Sequence, residues 1–294
     1  MTFDLHSARF QFTARDRIQF PPHQAGNVLR GALGTAFRKI VCVPECPGRA
    51  GAGVRECLLQ ASCAYAQIFE PAAIASGPSG QADRPRPFVI RARHLNGRIV
   101  HPGESFCFDL HLFHAVGPPL EHFRGAFQSM AADGFGLDRG KAELANLEVA
   151  PVSIALDPPQ SAASRVRVRF RTPTELKSGS EIVSRPEFAV LFARARDRVA
   201  ALRALYGEGP LEIDFRGMGS RSGAVQLIRS DVQYIDTMRR SSRTGQRHGI
   251  GGFVGIAEYQ GDLREFLPLL TAAQWTGVGR HCSWGNGEIG LEYA

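Results

Sequence analysis

Hydrophobic and polar residues follow a similar succession of patterns in the two halves of the chain. Alternating apolar and polar residues predict strands, and apolar residues spaced three and four apart predict helices. In the first half they predict a strand, a helix, two strands, a helix and a strand, at 3–12, 27–41, 88–93, 105–113, 119–130 and 144–156. In the second half they predict the same order with one additional strand, at 165–171, 186–206, 211–215, 224–234, 250–259, 263–275 and 288–293.

Each half therefore follows roughly the order β-α-β-β-α-β, which is typical of a ferredoxin-like fold. A proline-rich segment at 157–161 separates the halves and predicts a linker. We predict an α+β protein of two tandem ferredoxin-like (RRM-like) domains, 1–157 and 162–294. An irregular, cysteine-containing insertion at about 42–85 interrupts the first domain.

The composition adds a strong bias toward arginine. The net charge is +7, and lysine occurs only at positions 39, 141 and 177 among 35 basic residues. Arginine presents a planar fork of donors suited to phosphate, so a nucleic-acid ligand is one explanation, and a GC-rich genome is the other. The chain has no apolar stretch of membrane-spanning length and no secretory pattern at its start, so we expect a cytoplasmic protein with no membrane partner. Its six cysteines are then expected to be free or metal-bound.

The most specific motif is GVGRHCSWGNG at 277–287, between a predicted helix and a predicted strand. A dinucleotide-binding fingerprint needs the opposite order, with the strand before the glycines, so that function is excluded. Glycines allow backbone N–H groups to approach a ligand closely. Because the loop also contains two basic residues, we predict that it binds a phosphate backbone. A tight turn is the alternative. The candidate binding residues are Gly277, Gly279, Arg280, Gly285 and Gly287, with His281 beside them.

A second candidate segment, 239–252, is rich in arginine and serine and has no apolar residue before Ile250. Such a segment is costly to order by itself and is typical of a loop that orders on a polyanion. A solvated surface loop is the alternative. The candidate binding residues are Arg239, Arg240, Ser242, Arg243, Arg247 and His248.

The third segment is LRGALGTAFRK at 29–39, in the first predicted helix. Its two glycines predict close approach of another backbone. Arg30 precedes Arg38 and Lys39 by eight and nine residues, which places the three cations near one helical face. An ordinary amphipathic helix is the alternative.

Together these three segments resemble the CRISPR-associated endoribonucleases that process precursor CRISPR RNA, the sixth-numbered Cas family of the RAMP superfamily. The resemblance covers most of the chain and is strongest over 237–292, although Asn286 stands where the family usually has an apolar residue. It implies a metal-independent endoribonuclease that binds and cleaves CRISPR repeat hairpins through attack of a ribose 2′-hydroxyl. The products would be a 2′,3′-cyclic phosphate and a 5′-hydroxyl, and the enzyme would retain the mature crRNA. Other CRISPR effector subunits are the implied protein partners.

The resemblance leaves the general base open. In the family a base usually comes from the first helix or the loop before it, where this chain offers only His23. Many relatives carry a histidine or tyrosine near the place of Gly34 and Thr35. A non-catalytic crRNA-binding subunit of an effector complex is therefore the alternative function. The candidate catalytic residues are His23, Arg30, Arg38, Lys39 and His281, and His248 is a further candidate.

Four cysteines form a separate cluster, Cys42, Cys46, Cys57 and Cys63, with the spacing C-x3-C-x10-C-x5-C. Such a cluster in a cytoplasmic chain favours a structural zinc ion, and free buried thiols are the alternative. No cofactor is expected for catalysis itself. Two further hypotheses concern this insertion: a structural zinc protein with no RNA role, or a helical arm that touches RNA.

Overall fold

The computed structural model describes residues 1–42, 46, 57, 59–71, 84–114, 116–160, 163–240 and 247–293. The sheet of the N-terminal half consists of β1 (Thr2–Ala14), β3 (Phe88–Arg91), β5 (Ser105–Leu112) and β6 (Ala142–Ala155). Its helices are α1 (Ala25–Val41), α2 (Ala64–Phe69) and α3 (Leu120–Asp133). Two short strands, β2 (Ile18–Gln19) and β4 (Ile99–Val100), pair with each other.

The strand order in this sheet is β3-β5-β1-β6, which is the 2-3-1-4 order of a ferredoxin-like unit. β1 runs antiparallel to β5, with Phe10 opposite Phe108. Since alternate residues of a strand share one face, both phenyl rings point into the core, where the ring centre of Phe127 on α3 lies 4.5 Å from that of Phe10. The alternating pattern of the sequence therefore specifies the buried face of the sheet.

The C-terminal half repeats this arrangement. Its sheet consists of β7 (Arg165–Thr174), β10 (Gln226–Ile235), β13 (Gly252–Gln260) and β14 (Ile289–Tyr293), in the order β10-β13-β7-β14. Its helices are α4 (Phe188–Tyr206), α5 (Phe215–Ser222) and α6 (Leu267–Thr276). Two small hairpins pair β8 (Lys177–Ser178) with β9 (Glu181–Ile182), and β11 (Met238–Arg240) with β12 (Arg247–Gly249). The prediction of two tandem ferredoxin-like folds is confirmed.

The chain divides into two compact units, residues 6–151 and residues 1–5 with 152–294. The domain limits predicted at 157 and 162 stay a prediction. Much of the insertion predicted at 42–85 lies outside the described residues, including Arg49 and Arg55, which would help a helical arm to touch RNA. Among the described helices, none is both long enough and apolar enough to cross a membrane.

Two local predictions are wrong. Residues 211–215 do not form a strand; instead a carboxylate oxygen of Asp214 accepts a hydrogen bond from the Gly217 N–H at 2.8 Å and caps α5. The glycines of α1 also lie against no other backbone among the described residues. A Cβ at Gly34 would lie 3.6 Å from the Phe69 ring, and one at Gly31 would have no heavy atom within 4 Å.

Candidate functional site

The glycine loop is the segment 277–287, which joins α6 to β14. Gly277 ends the helix with a φ of +75°, a left-handed value that favours glycine. The other three glycines also have positive φ, +82° at Gly279, +90° at Gly285 and +70° at Gly287. The paired G-x-G motif therefore encodes a specific backbone path.

This path folds the loop tightly against the end of β7. The N–H of Gly287 donates to Pro173 O at 3.0 Å, and the N–H of Val278 donates to Gly287 O at 2.9 Å. A Cβ at Gly279 would lie 2.3 Å from Glu175 O, and one at Gly287 would lie 2.1 Å from Val278 O. At these two positions glycine is thus required by the loop's own packing, and phosphate binding by the loop stays a prediction.

Arg280 is held in the loop by a buried carboxylate. Its Nη1 lies 2.5 Å from Glu175 Oε1, and its N–H donates to Glu175 O at 3.1 Å. The Glu175 side chain is 4% exposed, whereas the Arg280 side chain is 47% exposed. The Arg280 guanidinium is therefore held by a buried carboxylate and remains accessible to solvent. No sequence signal pointed to Glu175, because the contact is made only by the fold.

His281 lies beside Arg280 with a φ of +64°, which is uncommon for a residue other than glycine. Its ring stacks on Trp284, with ring centres 4.6 Å apart and planes within 10° of parallel. Stacking fixes the imidazole plane, and its catalytic role stays a prediction.

The arginine-rich segment 239–252 continues the β10–β13 pair outward as a second hairpin. Arg239 lies opposite His248, and Arg240 opposite Arg247. The prediction of a loop is therefore wrong for the ends of this segment, which are β11 and β12. Ser242 and Arg243 lie outside the described residues.

Asn286 connects this hairpin to the glycine loop. It is buried, and its Nδ2 donates to Ile250 O at 2.8 Å, while the N–H of Ile250 donates to Thr237 O at 2.8 Å. The structure thus brings together two of the three segments that the sequence singled out. It also explains the departure at Asn286, since an apolar side chain could not donate this hydrogen bond.

Tyr234 of β10 is an aromatic side chain at this site that sequence reasoning missed. It is 53% exposed. Burial of its hydroxyl and the negative charges of Glu175 and Asp236 raise the pKa of Tyr234, so the phenol stays protonated at neutral pH. An exposed ring beside fixed cations is a surface on which a base can stack.

The basic face of β7 has acidic partners. Arg167 pairs with Glu258 at 2.8 Å and with Glu292 at 3.2 Å, and Arg169 pairs with Glu292 at 3.2 Å. These two arginines lower the pKa of Glu292. Much of the positive charge on this strand is therefore compensated within the sheet.

The cations of α1 also contact other side chains. The Arg38 guanidinium lies 4.4 Å from the Tyr65 ring centre and 3.2 Å from Glu70 Oε1. The Arg30 guanidinium lies 5.7 Å from the Phe69 ring centre, and Lys39 Nζ lies 2.5 Å from Asp133. These contacts are compatible with the amphipathic-helix alternative, and the catalytic roles stay predictions.

His23 lies in the turn before α1 with a φ of +56°. Both His23 and α1 belong to the unit 6–151, whereas the glycine loop and the hairpin belong to the other unit. The structure thus gathers the predicted residues into two sets, one in each unit.

Two family models match adjacent parts of the chain. Residues 3–166 match a model described as an N-terminal domain, AF_1859_N. Residues 168–289, which include the hairpin and the glycine loop, match the model of the CRISPR-associated endoribonuclease Cas6. Over these residues the chain belongs to the Cas6 family.

Solved structures of Cas6 proteins share this fold. Thermus thermophilus Cas6 has 12% sequence identity and a TM-score of 0.57, over 99% of each chain. A Cas6 product complex has 16% identity and a TM-score of 0.55, over 98% of this chain and 99% of that one. A partial Cas6-RT-Cas1–Cas2 complex has 11% identity and a TM-score of 0.58, over 99% of this chain and 46% of that one. No curated protein matches the chain in sequence.

Three of these observations extend what the family match says. Glu175 and Tyr234 lie beside Arg280 of the glycine loop and belong to no sequence motif, whereas Asn286 is part of the loop and bonds Ile250. The tertiary contact of each residue is visible only in the folded structure.

Proposed function

We propose that this chain binds CRISPR repeat RNA and cleaves it without a metal ion, giving a 2′,3′-cyclic phosphate and a 5′-hydroxyl. The observation that carries the proposal is the connection through Asn286 between the glycine loop and the arginine-bearing hairpin. This connection puts Arg280 and the backbone of Arg239, Arg240 and Arg247 in one unit of the protein. Membership of an endoribonuclease family supports cleavage as well as binding.

The chemistry assigns a role to each type of side chain. In-line attack of the 2′-oxygen on phosphorus needs removal of a proton there and delivery of one to the departing 5′-oxygen. Histidine suits either transfer because its ordinary pKa is near neutral, so His23 in one unit and His281 in the other are alternative candidates. Arginine is a poor base, so Arg30 and Arg38, with Lys39, would act by stabilising the negative charge that develops on the phosphorane, and Arg280 would bind RNA.

Related structures support two further parts of the proposal. Two Cas6 structures with this fold are product complexes, which supports retention of the cleaved RNA by this chain. The Cas6-RT-Cas1–Cas2 complex supports CRISPR proteins as partners.

A non-catalytic RNA-holding subunit is the second candidate. It is favoured by the contacts of Arg38 and Lys39, which engage Glu70 and Asp133 rather than standing free for catalysis. This candidate would use the same RNA-binding surface as the nuclease and would differ only in not cleaving the RNA.

The decisive experiment mixes the purified chain with labelled CRISPR repeat hairpins in EDTA. Each hairpin is supplied as all-ribose RNA and with one 2′-deoxy residue at the mapped cleavage position. Cutting of the first but not the second is expected, since DNA-like sugar lacks the nucleophile. Tight binding with no cutting of either would replace the nuclease by the RNA-holding subunit.

A matched pair of variants tests the loop. Arg280→Ala is expected to weaken RNA binding. Arg165→Ala is the matched control, because it removes the same charge from the start of β7, where the Arg165 side chain donates to Gln260. Equal weakening by both would indicate a diffuse charge effect and would argue against a specific role for the loop.

A further inference from the structure

Four of the six cysteines line a single pocket in the unit 6–151. Cys42 directly follows α1, and Cys63 directly precedes α2. Cys46 and Cys57 come from the segment between these helices and line the same pocket. The four thiols therefore converge on one pocket from the segment 42–63, and none is in a disulfide.

The spacing of two sulfur atoms fits metal ligation better than a disulfide. Cys46 Sγ lies 3.6 Å from Cys57 Sγ. A tetrahedral zinc site with Zn–S bonds of about 2.3 Å places its sulfur atoms about 3.8 Å apart, whereas a disulfide needs about 2.0 Å. The observed separation is thus close to that of two ligands on one ion.

The other two thiols are neighbours of this pair. Cys42 shares a hydrogen bond with the Cys46 thiol, and Cys63 lies beside both in the same pocket. The positive charge of Arg38, in the last turn of α1, also lies near Cys42. A set of thiolates here would therefore have a compensating charge beside it.

The thiols are gathered around the pocket but do not form a closed cage. Among the described residues, no three metal-ligating side chains are arranged to hold an ion. An ion entering the pocket would have to draw the sulfur atoms inward. The proposal therefore rests on convergence and on the donor set.

We propose that Cys42, Cys46, Cys57 and Cys63 bind one structural zinc ion. Binding would form four Zn–S bonds and release four thiol protons to solvent, leaving a tetrathiolate centre of charge −2. Four protein ligands leave no open position for water, so the ion would act in folding and not in catalysis. It would connect the end of α1 to the start of α2. The Tyr65 and Phe69 rings of α2 contact the guanidinium groups of Arg38 and Arg30.

The test is the metal content of the full chain purified without chelator. About one zinc ion per chain is expected by elemental mass spectrometry. A Cys42→Ser/Cys63→Ser double variant is expected to lose it. Two variants are expected to keep it: Cys107→Ser on β5, and His122→Phe, which changes another pocket residue whose ring stacks on Phe37.

A measurement on the unaltered chain avoids dependence on a variant that fails to fold. Exchange of the metal for Co²⁺ is expected to give intense visible bands of tetrahedral thiolate coordination. A chain purified with negligible zinc that also fails to give these bands would overturn the proposal, as would a Cys46–Cys57 disulfide in non-reducing peptide mapping. These readouts do not involve RNA, so they are independent of the proposed function.

Discussion

Arg280 and Glu175 are joined twice, once through the backbone and once through their side chains. The Arg280 N–H donates to Glu175 O at 3.1 Å, and Arg280 Nη1 lies 2.5 Å from Glu175 Oε1. Because the carboxylate is buried and the guanidinium is half-exposed, the pair presents a positive charge at a fixed position. The glycine loop therefore holds one cationic side chain at a fixed position.

Glu175→Gln is expected to lower the free energy of unfolding by about 2 kcal/mol, because it leaves a buried amide opposite a charged partner. It is also expected to weaken RNA binding, since Arg280 loses its fixed position. Urea denaturation and filter binding measure the two effects. Glu292→Gln, which removes an exposed carboxylate from the β7 ladder, is the control and should change stability less. Equal losses in the two variants would contradict the special role of the buried pair.

Gly279→Ala tests whether the loop path itself is needed. Its φ of +82° costs an alanine about 1–2 kcal/mol, and the new Cβ would lie 2.3 Å from Glu175 O, so the loop must also move. Gly103 has a similar φ of +85°, but a Cβ at that position would have no heavy atom within 4 Å. Gly103→Ala should therefore show the conformational cost alone in thermal melts and keep RNA affinity. An intact affinity for Gly279→Ala would show that the loop path does not matter for binding.

The sequence pattern predicted the elements that bury one face. The alternation at 3–12 and 165–171 and the helical spacing at 27–41 correspond to β1, β7 and α1, because burial of one face imposes the period. The pattern did not predict strands at 239–249. There β11 and β12 pair with each other although their residues show no hydrophobic alternation.

The site could be predicted only where local chemistry marks it. Glycines and arginines singled out the glycine loop and the segment 239–252, whose roles in RNA binding stay predictions. Glu175 and the role of Asn286 could not be predicted, because their partners, Arg280 and Ile250, are 105 and 36 positions away in the chain. The helix at 215–222 was missed because its start depends on one capping side chain, Asp214.

Arg38→Ala is expected to destabilise the unit 6–151 by about 1–2 kcal/mol, through loss of the Tyr65 stacking and the Glu70 ion pair. Lys39→Ala removes an exposed ion pair with Asp133 and should cost less than about 1 kcal/mol. Thermal melts followed by single-turnover cleavage separate stability from chemistry. If Arg38→Ala leaves stability unchanged but abolishes cleavage, Arg38 is catalytic and its contacts are secondary.

His114, just after β5, is expected to make stability depend on pH. Burial lowers the pKa of His114 below its ordinary value of 6.5, so the unfolded chain takes up a proton at higher pH than the folded one. The stability is therefore complete above about pH 6.5 and falls as the pH decreases toward the folded-state pKa. Urea midpoints between pH 8 and 5 should show a shallower decrease for both His114→Gln and His114→Phe. An unchanged decrease in both variants would assign the effect to another group.

The hairpin arginines are expected to determine how strongly salt weakens RNA binding. Each phosphate contact contributes about 0.7–0.9 to the slope of log affinity against log salt concentration. The triple variant Arg239→Gln/Arg240→Gln/Arg247→Gln should reduce this slope by about 2 if all three arginines contact phosphates. Arg165→Gln, on the first residue of β7, should leave it nearly unchanged. A parallel loss of affinity with no change in slope would mean that the hairpin contributes shape or stacking, and the cations of the glycine loop and α1 would then be the principal phosphate contacts.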